Sequence, residues 1–179
     1  MPALAAPENG RMNTTSPWKA ALREGAVSGS LASVMSTAAL ALEARRETGS
    51  PYAGTNAVSH WFWGDEALRH DEPDWRHTAL GYATHHGAAI FWATLYARLY
   101  GNRPEAHSPK QAALGAVATS AVAALVDFKF TPQRLTPGFE HRVSKKALTV
   151  VYIGFAAGMF LGALATARRR QQQRADTGE

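Results

Sequence analysis

The chain has 179 residues, which is enough for one domain. Charged residues make up 18% of it and hydrophobic residues 46%, whereas about 25% of the residues of a soluble protein are charged. Cysteine is absent, which excludes disulfides, thiolate metal sites and cysteine nucleophiles. The net charge is +5, but the basic residues cluster at the edges of apolar runs, and this placement favours membrane anchoring over nucleic-acid binding.

Four runs of the chain lack Asp, Glu, Lys and Arg and approach the length of about 20 residues that crosses a bilayer. The first and third runs are rich in the small residues found where transmembrane helices pack closely. We therefore predict an all-α, polytopic membrane protein with four transmembrane helices. The predicted spans are residues 20–43, 78–98, 109–127 and 146–167. They form a membrane domain, residues 17–168, between a flexible N-terminal segment, 1–16, and a polar C-terminal tail, 169–179.

Two connecting segments have a distinctive composition. The first loop, residues 44–77, is aromatic-rich, and the third loop, residues 127–146, contains the Pro- and Gly-rich stretch "TPQRLTPGFE", which predicts turns. Basic residues are divided almost equally between the two sides of the membrane. The basic run "ARRRQQQR" after the last span, and the lack of an apolar signal before the first, favour cytoplasmic termini. The first and third loops are then expected outside.

Glycines recur at four-residue spacing in the first and last predicted spans. Gly25 and Gly29 lie in the first span, and Gly154, Gly158 and Gly162 lie in the last. Such small-xxx-small faces let helix backbones approach closely. They predict helix packing within one bundle or in a homodimer, and a substrate path along the groove is the alternative.

A candidate polar site lies inside the membrane domain. His85 and His86 are adjacent in the second span and, on a helical wheel, face inward near Tyr82. A polar group at that depth needs a partner. The hydroxyls expected within reach are those of Ser33, Ser36, Thr37, Thr119 and Ser120. A structural hydrogen bond is the favoured role, and a proton relay or transport site and haem or metal ligation are alternatives.

Asp127 completes this candidate site at the end of the third span. Because consecutive spans cross the membrane in opposite directions, Asp127 is expected at the same depth as Tyr152 and the start of the second span. The partners expected for its carboxylate are Lys129, Arg134, His77 and Tyr82. Its ordinary role would be an ion pair or hydrogen bond at the membrane edge, and the alternative is a functional carboxylate at a cavity mouth.

The first loop also carries several potential metal ligands. His60, Asp65, His70, Asp74 and His77 offer nitrogen and oxygen donors suited to Zn²⁺, although no pair has a recognised ligand spacing. The stretch "GDEALRH" predicts a short helix capped by Asp65. An interfacial aromatic cap is the favoured role of this loop, and metal binding or docking of a partner is the alternative.

In layout, the chain resembles small four-span inner-membrane proteins of Proteobacteria that have no assigned activity. The likeness consists of a small-residue first span, a histidine-bearing second span after an aromatic loop, and the turn "TPQRLTPGFE" before the fourth span. The resemblance implies a multi-pass protein of a bacterial inner membrane, and it transfers no site residues.

The sequence contains no nucleophile elbow, phosphate-binding glycine loop, carboxylate pair or HExxH motif. We therefore expect a protein that is not an enzyme and has no resident cofactor. The favoured role is a structural or interaction component of the membrane, with the lipid bilayer, a second copy or a membrane protein as partner and no nucleic acid. One alternative is a transporter or proton-coupled protein using His85, His86 and Asp127. Another is a haem- or metal-binding protein in which loop histidines such as His60 and His141 act together with His85 or His86.

Overall fold

A computed structural model describes residues 16–177, so the predicted flexible segment 1–16 lies almost entirely outside the described residues. The described part is helical and contains no β-strand, which confirms the all-α prediction. Its α-helices are α1 (Pro17–Thr48), α2 (Ala53–Val58), α3 (His60–Trp63), α4 (Leu80–Tyr96), α5 (Pro109–Leu125) and α6 (Lys145–Thr177).

Within the described residues, three helices are long and apolar enough to cross a membrane, where the sequence predicted four. They are Pro17–Thr48, Pro109–Phe130 and Lys145–Gln173, and they contain the predicted first, third and fourth spans. The predicted second span does not qualify because its two polar histidines, His85 and His86, lower its hydropathy. A π-helical segment continues α4 at each end: Trp75–Ala79 precedes it and Ala97–Gly101 follows it.

Helix α1 lies between α4 and α6 and packs against both. On the α4 side, a β-carbon placed on Gly25 would lie 2.0 Å from Oγ1 of Thr94. One placed on Gly29 would lie 2.5 Å from the Cα of Ile90. The two glycines therefore allow a backbone separation that no larger residue would permit.

The same close approach holds between α6 and α1. A β-carbon on Gly158 would lie 2.5 Å from the Cα of Ala32, and one on Gly162 would lie 2.3 Å from the Cα of Ser28. At Gly154 the nearest atom is the carbonyl oxygen of Met35, at 3.1 Å. The small-residue faces predicted from the sequence thus pack inside one chain.

A buried ion pair joins the first and last helices at the end of the bundle where α1 begins. Glu24 is 3% exposed and accepts a 2.7 Å hydrogen bond from Nη2 of Arg170. The same nitrogen donates to Oδ1 of Asn102 at 2.7 Å, and this bond links the turn between α4 and α5 to the ion pair. Helix α6 therefore continues into the predicted polar tail, residues 169–179, and ends at Thr177.

At the opposite end, the first and third loops pack on each other. Nε1 of Trp61 donates to the carbonyl of Thr136 at 2.8 Å, and Arg134 donates to the carbonyl of His60 at 2.6 Å. Gly138 has a φ of +89°, which favours glycine, and a β-carbon there would lie 2.4 Å from the carbonyl oxygen of Ala57. These contacts form a cap over the helices.

The predicted helix in "GDEALRH" exists, but Asp65 does not cap it. Residues Gly64–Arg69 form a 3-10 helix whose N-cap position is Trp63, and no side chain caps it. Asp65 lies one residue inside the first turn, because the preceding helix α3 continues to Trp63 and leaves no extended residue before the turn.

The helix contacts predict that replacing glycine by alanine has opposite effects on stability at positions 158 and 87. Gly158→Ala forces a methyl group against the backbone of α1 and is expected to destabilise the protein by about 1–3 kcal/mol. Gly87→Ala adds a methyl group that meets no atom within 4 Å and removes a helix-interior glycine. It is expected to raise stability by up to about 1 kcal/mol.

Thermal unfolding of both variants in one detergent, with size-exclusion chromatography, measures this difference. Equal melting temperatures would contradict the internal packing of Gly158. A change of oligomeric state without a change of melting temperature would instead place Gly158 at a contact between two copies.

Candidate functional site

A cavity of about 590 Å³ lies between α4 and α5. Its walls are mainly apolar and include Ala88 and Phe91 of α4 and Phe155 of α6. Trp61 of the first loop and Phe139 of the third loop cover the end beneath the loop cap. The cavity therefore extends from the capped end toward the middle of the helices.

His85 faces this cavity and is bonded to α1. Its Nε2 lies 2.8 Å from Oγ of Ser36, one of the hydroxyls expected within reach, and the Ser36 hydroxyl donates to the carbonyl of Ala32 at 2.7 Å. Which of the two atoms donates in the bond between Ser36 and His85 depends on the imidazole tautomer. The other ring nitrogen, Nδ1, makes no hydrogen bond within the described residues.

Asp127 lines the same cavity, opposite His85, in a π-helical segment that continues α5, Val126–Phe130. The hydroxyl of Tyr152 donates to Oδ2 of Asp127 at 2.6 Å. The hydroxyl of Ser120 donates to the carbonyl of Tyr152 at 2.7 Å, so this pair is anchored where α5 packs on α6. The carboxylate thus bonds across to α6.

The four partners expected for Asp127 do not bond to it in the described residues. The reason is that α5 packs against α6 more extensively than against α4, which brings Tyr152 closest. None of Lys129, Arg134, His77 and Tyr82 forms a hydrogen bond or ion pair with the carboxylate. Oδ1 of Asp127 makes no hydrogen bond within residues 16–177.

The structure separates the four residues of the predicted polar site into two pairs. His85 and Asp127 line the cavity, whereas His86 and Tyr82 do not. The rings of His86 and Tyr82 lie 5.6 Å apart, and Nδ1 of His86 is buried without a hydrogen-bond partner among the described residues. Adjacent residues diverge by about 100° on a helix, and for this reason the two histidines meet different neighbours.

A second polar cluster lies in the first loop and brings together His70, Asp74 and His77. Oδ2 of Asp74 lies 2.9 Å from Nε2 of His70 and 2.9 Å from Nδ1 of His77. The backbone N–H of His77 donates to Oδ1 of Asp74 at 2.5 Å. This bond and the side-chain hydrogen bond from His77 lower the pKa of Asp74 to about 2.

The other two predicted loop ligands lie apart from this cluster. His60 is buried, and its Nδ1 lies 2.9 Å from the carbonyl oxygen of Ala57. Asp65 is exposed in the 3-10 helix Gly64–Arg69. Sequence spacing alone could not show that His60 and Asp65 lie apart from the cluster. The separation arises because the loop folds back, which brings His70 next to Asn56.

The pairing of Tyr152 with Asp127 predicts a measurable loss of stability. Tyr152→Phe removes a hydroxyl that bonds to a half-buried carboxylate and is expected to cost about 1–3 kcal/mol. Tyr82→Phe is the matched control, since the hydroxyl of Tyr82 makes no hydrogen bond within residues 16–177, and it is expected to change stability by less than about 0.5 kcal/mol. Thermal unfolding in detergent compares the two, and equal melting temperatures would contradict the pairing.

Comparison with protein-family models, with curated proteins and with solved structures finds no match for this chain. Its function is therefore inferred from its own residues and their contacts.

Proposed function

We propose that this chain is a four-span protein of a bacterial inner membrane that binds a lipophilic small molecule in the cavity between α4 and α5. The observation that carries the proposal is the combination of apolar walls with two polar side chains, His85 and Asp127, facing one cavity of about 590 Å³. Small-molecule sites are concave, mostly apolar and supplied with a few polar groups, and they usually have volumes of about 300–1,000 Å³.

The register between α4 and α1 supports α4 as the fourth span. The two helices are antiparallel: Gly25 contacts Thr94, and eleven residues later Ser36 bonds to His85. Helix α4 thus follows α1 through most of its apolar length. Because α1 is long and apolar enough to cross a bilayer, a helix alongside it crosses the same thickness.

Four spans place the two termini and the turn between α4 and α5 on one side, which we assign to the cytoplasm. The first and third loops then lie outside. The absence of cysteine allows single-cysteine labelling in intact cells. Glu66→Cys, in the exposed part of the first loop, is expected to react with a membrane-impermeant maleimide without permeabilisation. Arg103→Cys, between α4 and α5, is expected to react only after permeabilisation, and equal labelling of both from outside would exclude α4 as a span.

The polar groups of the cavity indicate the head group of the ligand. Oδ1 of Asp127 and, in the tautomer that carries its proton on Nε2, Nδ1 of His85 are both acceptors without a hydrogen bond in the described residues. A ligand that satisfies them has to donate. The carboxylate disfavours an anionic head group. The best match is a neutral lipophile with a hydroxyl head, such as a long-chain alcohol or a phenol.

Photocrosslinking tests this ligand class. A long-chain alcohol bearing a diazirine is expected to label the purified protein more strongly than the fatty acid of the same chain length. Ala88→Phe, which fills the cavity, is expected to reduce labelling by the alcohol at least roughly tenfold, since a filled pocket excludes the chain. Ala38→Phe is the matched control, because Ala38 is exposed on α1 outside the cavity. Equal labelling of both variants would contradict binding in the cavity.

The arrangement of His85 and Asp127 in one cavity also supports a second candidate, proton-coupled transport. Both groups exchange protons, and groups of this kind mark proton pathways in membrane proteins. This candidate predicts that Asp127→Asn abolishes a proton flux in proteoliposomes while the protein stays folded. The structural or interaction role, the lack of catalysis, and haem binding stay predictions from the sequence.

A further inference from the structure

We propose that His70, Asp74 and His77 form a binding site for one first-row divalent metal ion of the Zn²⁺ type. The site lies in the first loop, at the capped end of the bundle, and it is independent of the cavity and of the ligand proposed there.

The donor atoms are already gathered. One ligand atom from each of the three side chains lies within 4.8 Å of the others. Oδ2 of Asp74 is 2.9 Å from a ring nitrogen of each histidine. Ligands about 2.0–2.2 Å from a tetrahedral Zn²⁺ are roughly 3–3.5 Å apart, so small outward shifts of the side chains admit the ion.

The contacts within the cluster leave one buried ring nitrogen without a hydrogen bond. Among the described residues, Nε2 of His77 is buried and has no hydrogen-bond partner, whereas Nε2 of His70 is buried beside Oδ2 of Asp74, 2.9 Å away. The His77 side chain is 4% exposed, so water does not reach it freely. The two rings are stacked with centroids 4.0 Å apart, so their nitrogens lie side by side. An imidazole binds a metal ion through the lone pair of a ring nitrogen.

The backbone around the cluster is held by a buried side chain. Asn56 is fully buried and donates to the carbonyls of His70 and Glu72 at 2.9 Å each, and its Oδ1 accepts from the hydroxyl of Thr78 at 2.6 Å. The Thr78 hydroxyl oxygen in turn accepts from the N–H of Asp74 at 3.1 Å. Partners of this kind orient metal ligands and raise affinity. The ligands are therefore positioned before the ion arrives.

The donor set selects the class of metal. Two imidazoles and one carboxylate suit Zn²⁺ and its first-row neighbours, whereas Ca²⁺ and Mg²⁺ take oxygen ligands. Asp74 stays ionised at neutral pH, as a ligand must, because the N–H of His77 stabilises its charge. Glu66, with Oε1 3.9 Å from Nε2 of His77, is a further carboxylate at the edge of the cluster.

Zinc titration of the chelator-treated full chain, prepared without a histidine tag, tests the proposal. We expect one Zn²⁺ per chain in the wild type and in His141→Ala, a control in which an exposed histidine outside the cluster is removed. His77→Ala is expected to weaken binding at least roughly tenfold. Because His77 is buried, His70→Gln provides a second variant with a more exposed side chain, and it is expected to weaken binding similarly.

A second readout separates a metal site from a structural cluster. Co²⁺ bound by two imidazoles and a carboxylate gives visible d–d absorption, which we expect in the wild type and in His141→Ala but not in His70→Gln. Circular dichroism verifies that each variant is folded. No stoichiometric Zn²⁺ in the wild type, or an equal loss in His141→Ala and His70→Gln, would overturn the proposal. Neither outcome bears on lipophile binding in the cavity.

Discussion

The close approach of α1 to its two neighbours is the constraint on which the rest of this structure depends. Lipid is as apolar as a leucine side chain, so helices in a membrane gain little from burying large apolar residues and associate through packing instead. Gly25 and Gly29 bring α4 onto α1, and Gly158 and Gly162 bring α6 onto it. The interior is accordingly built mainly of alanine, serine and glycine, and Leu40 and Met159 are among its few large buried side chains.

Tight packing around α1 also explains where the cavity lies. Helices α4 and α6 are held close to α1, whereas α5 packs mainly on α6. The remaining gap between α4 and α5 is too wide for their side chains to fill. His85 and Asp127 reach into it from opposite sides, and each is held by a hydroxyl, from Ser36 of α1 and from Tyr152 of α6 respectively. The cavity is thus a consequence of unequal packing, with its polar groups fixed by the close helices.

Local patterns in the sequence predicted the features that depend on one helix at a time. The four-residue glycine spacing identified the packing faces, and the helical wheel with depth matching placed Ser36 within reach of His85. Antiparallel threading placed Asp127 near Tyr152 but did not identify Tyr152 as its partner. That choice depends on which helix lies beside α5, and no local pattern contains this information. The gathering of His70, Asp74 and His77 without His60 depends on how Asn56 bonds to the loop backbone. The hydropathy of the second span was overestimated because its two histidines offset part of the contribution of its apolar residues.

The ion pair between Glu24 and Arg170 has a consequence for biogenesis. A ribosome makes the chain from the N-terminus, so Glu24 is synthesised long before Arg170. Its carboxylate is 3% exposed in the finished bundle, and burying an unpaired charge is strongly unfavourable. Until α6 is made, this carboxylate has no Arg170 to pair with, so we expect α1 to leave it in contact with water. The docking of α6 on α1 is therefore the step that can bury Glu24.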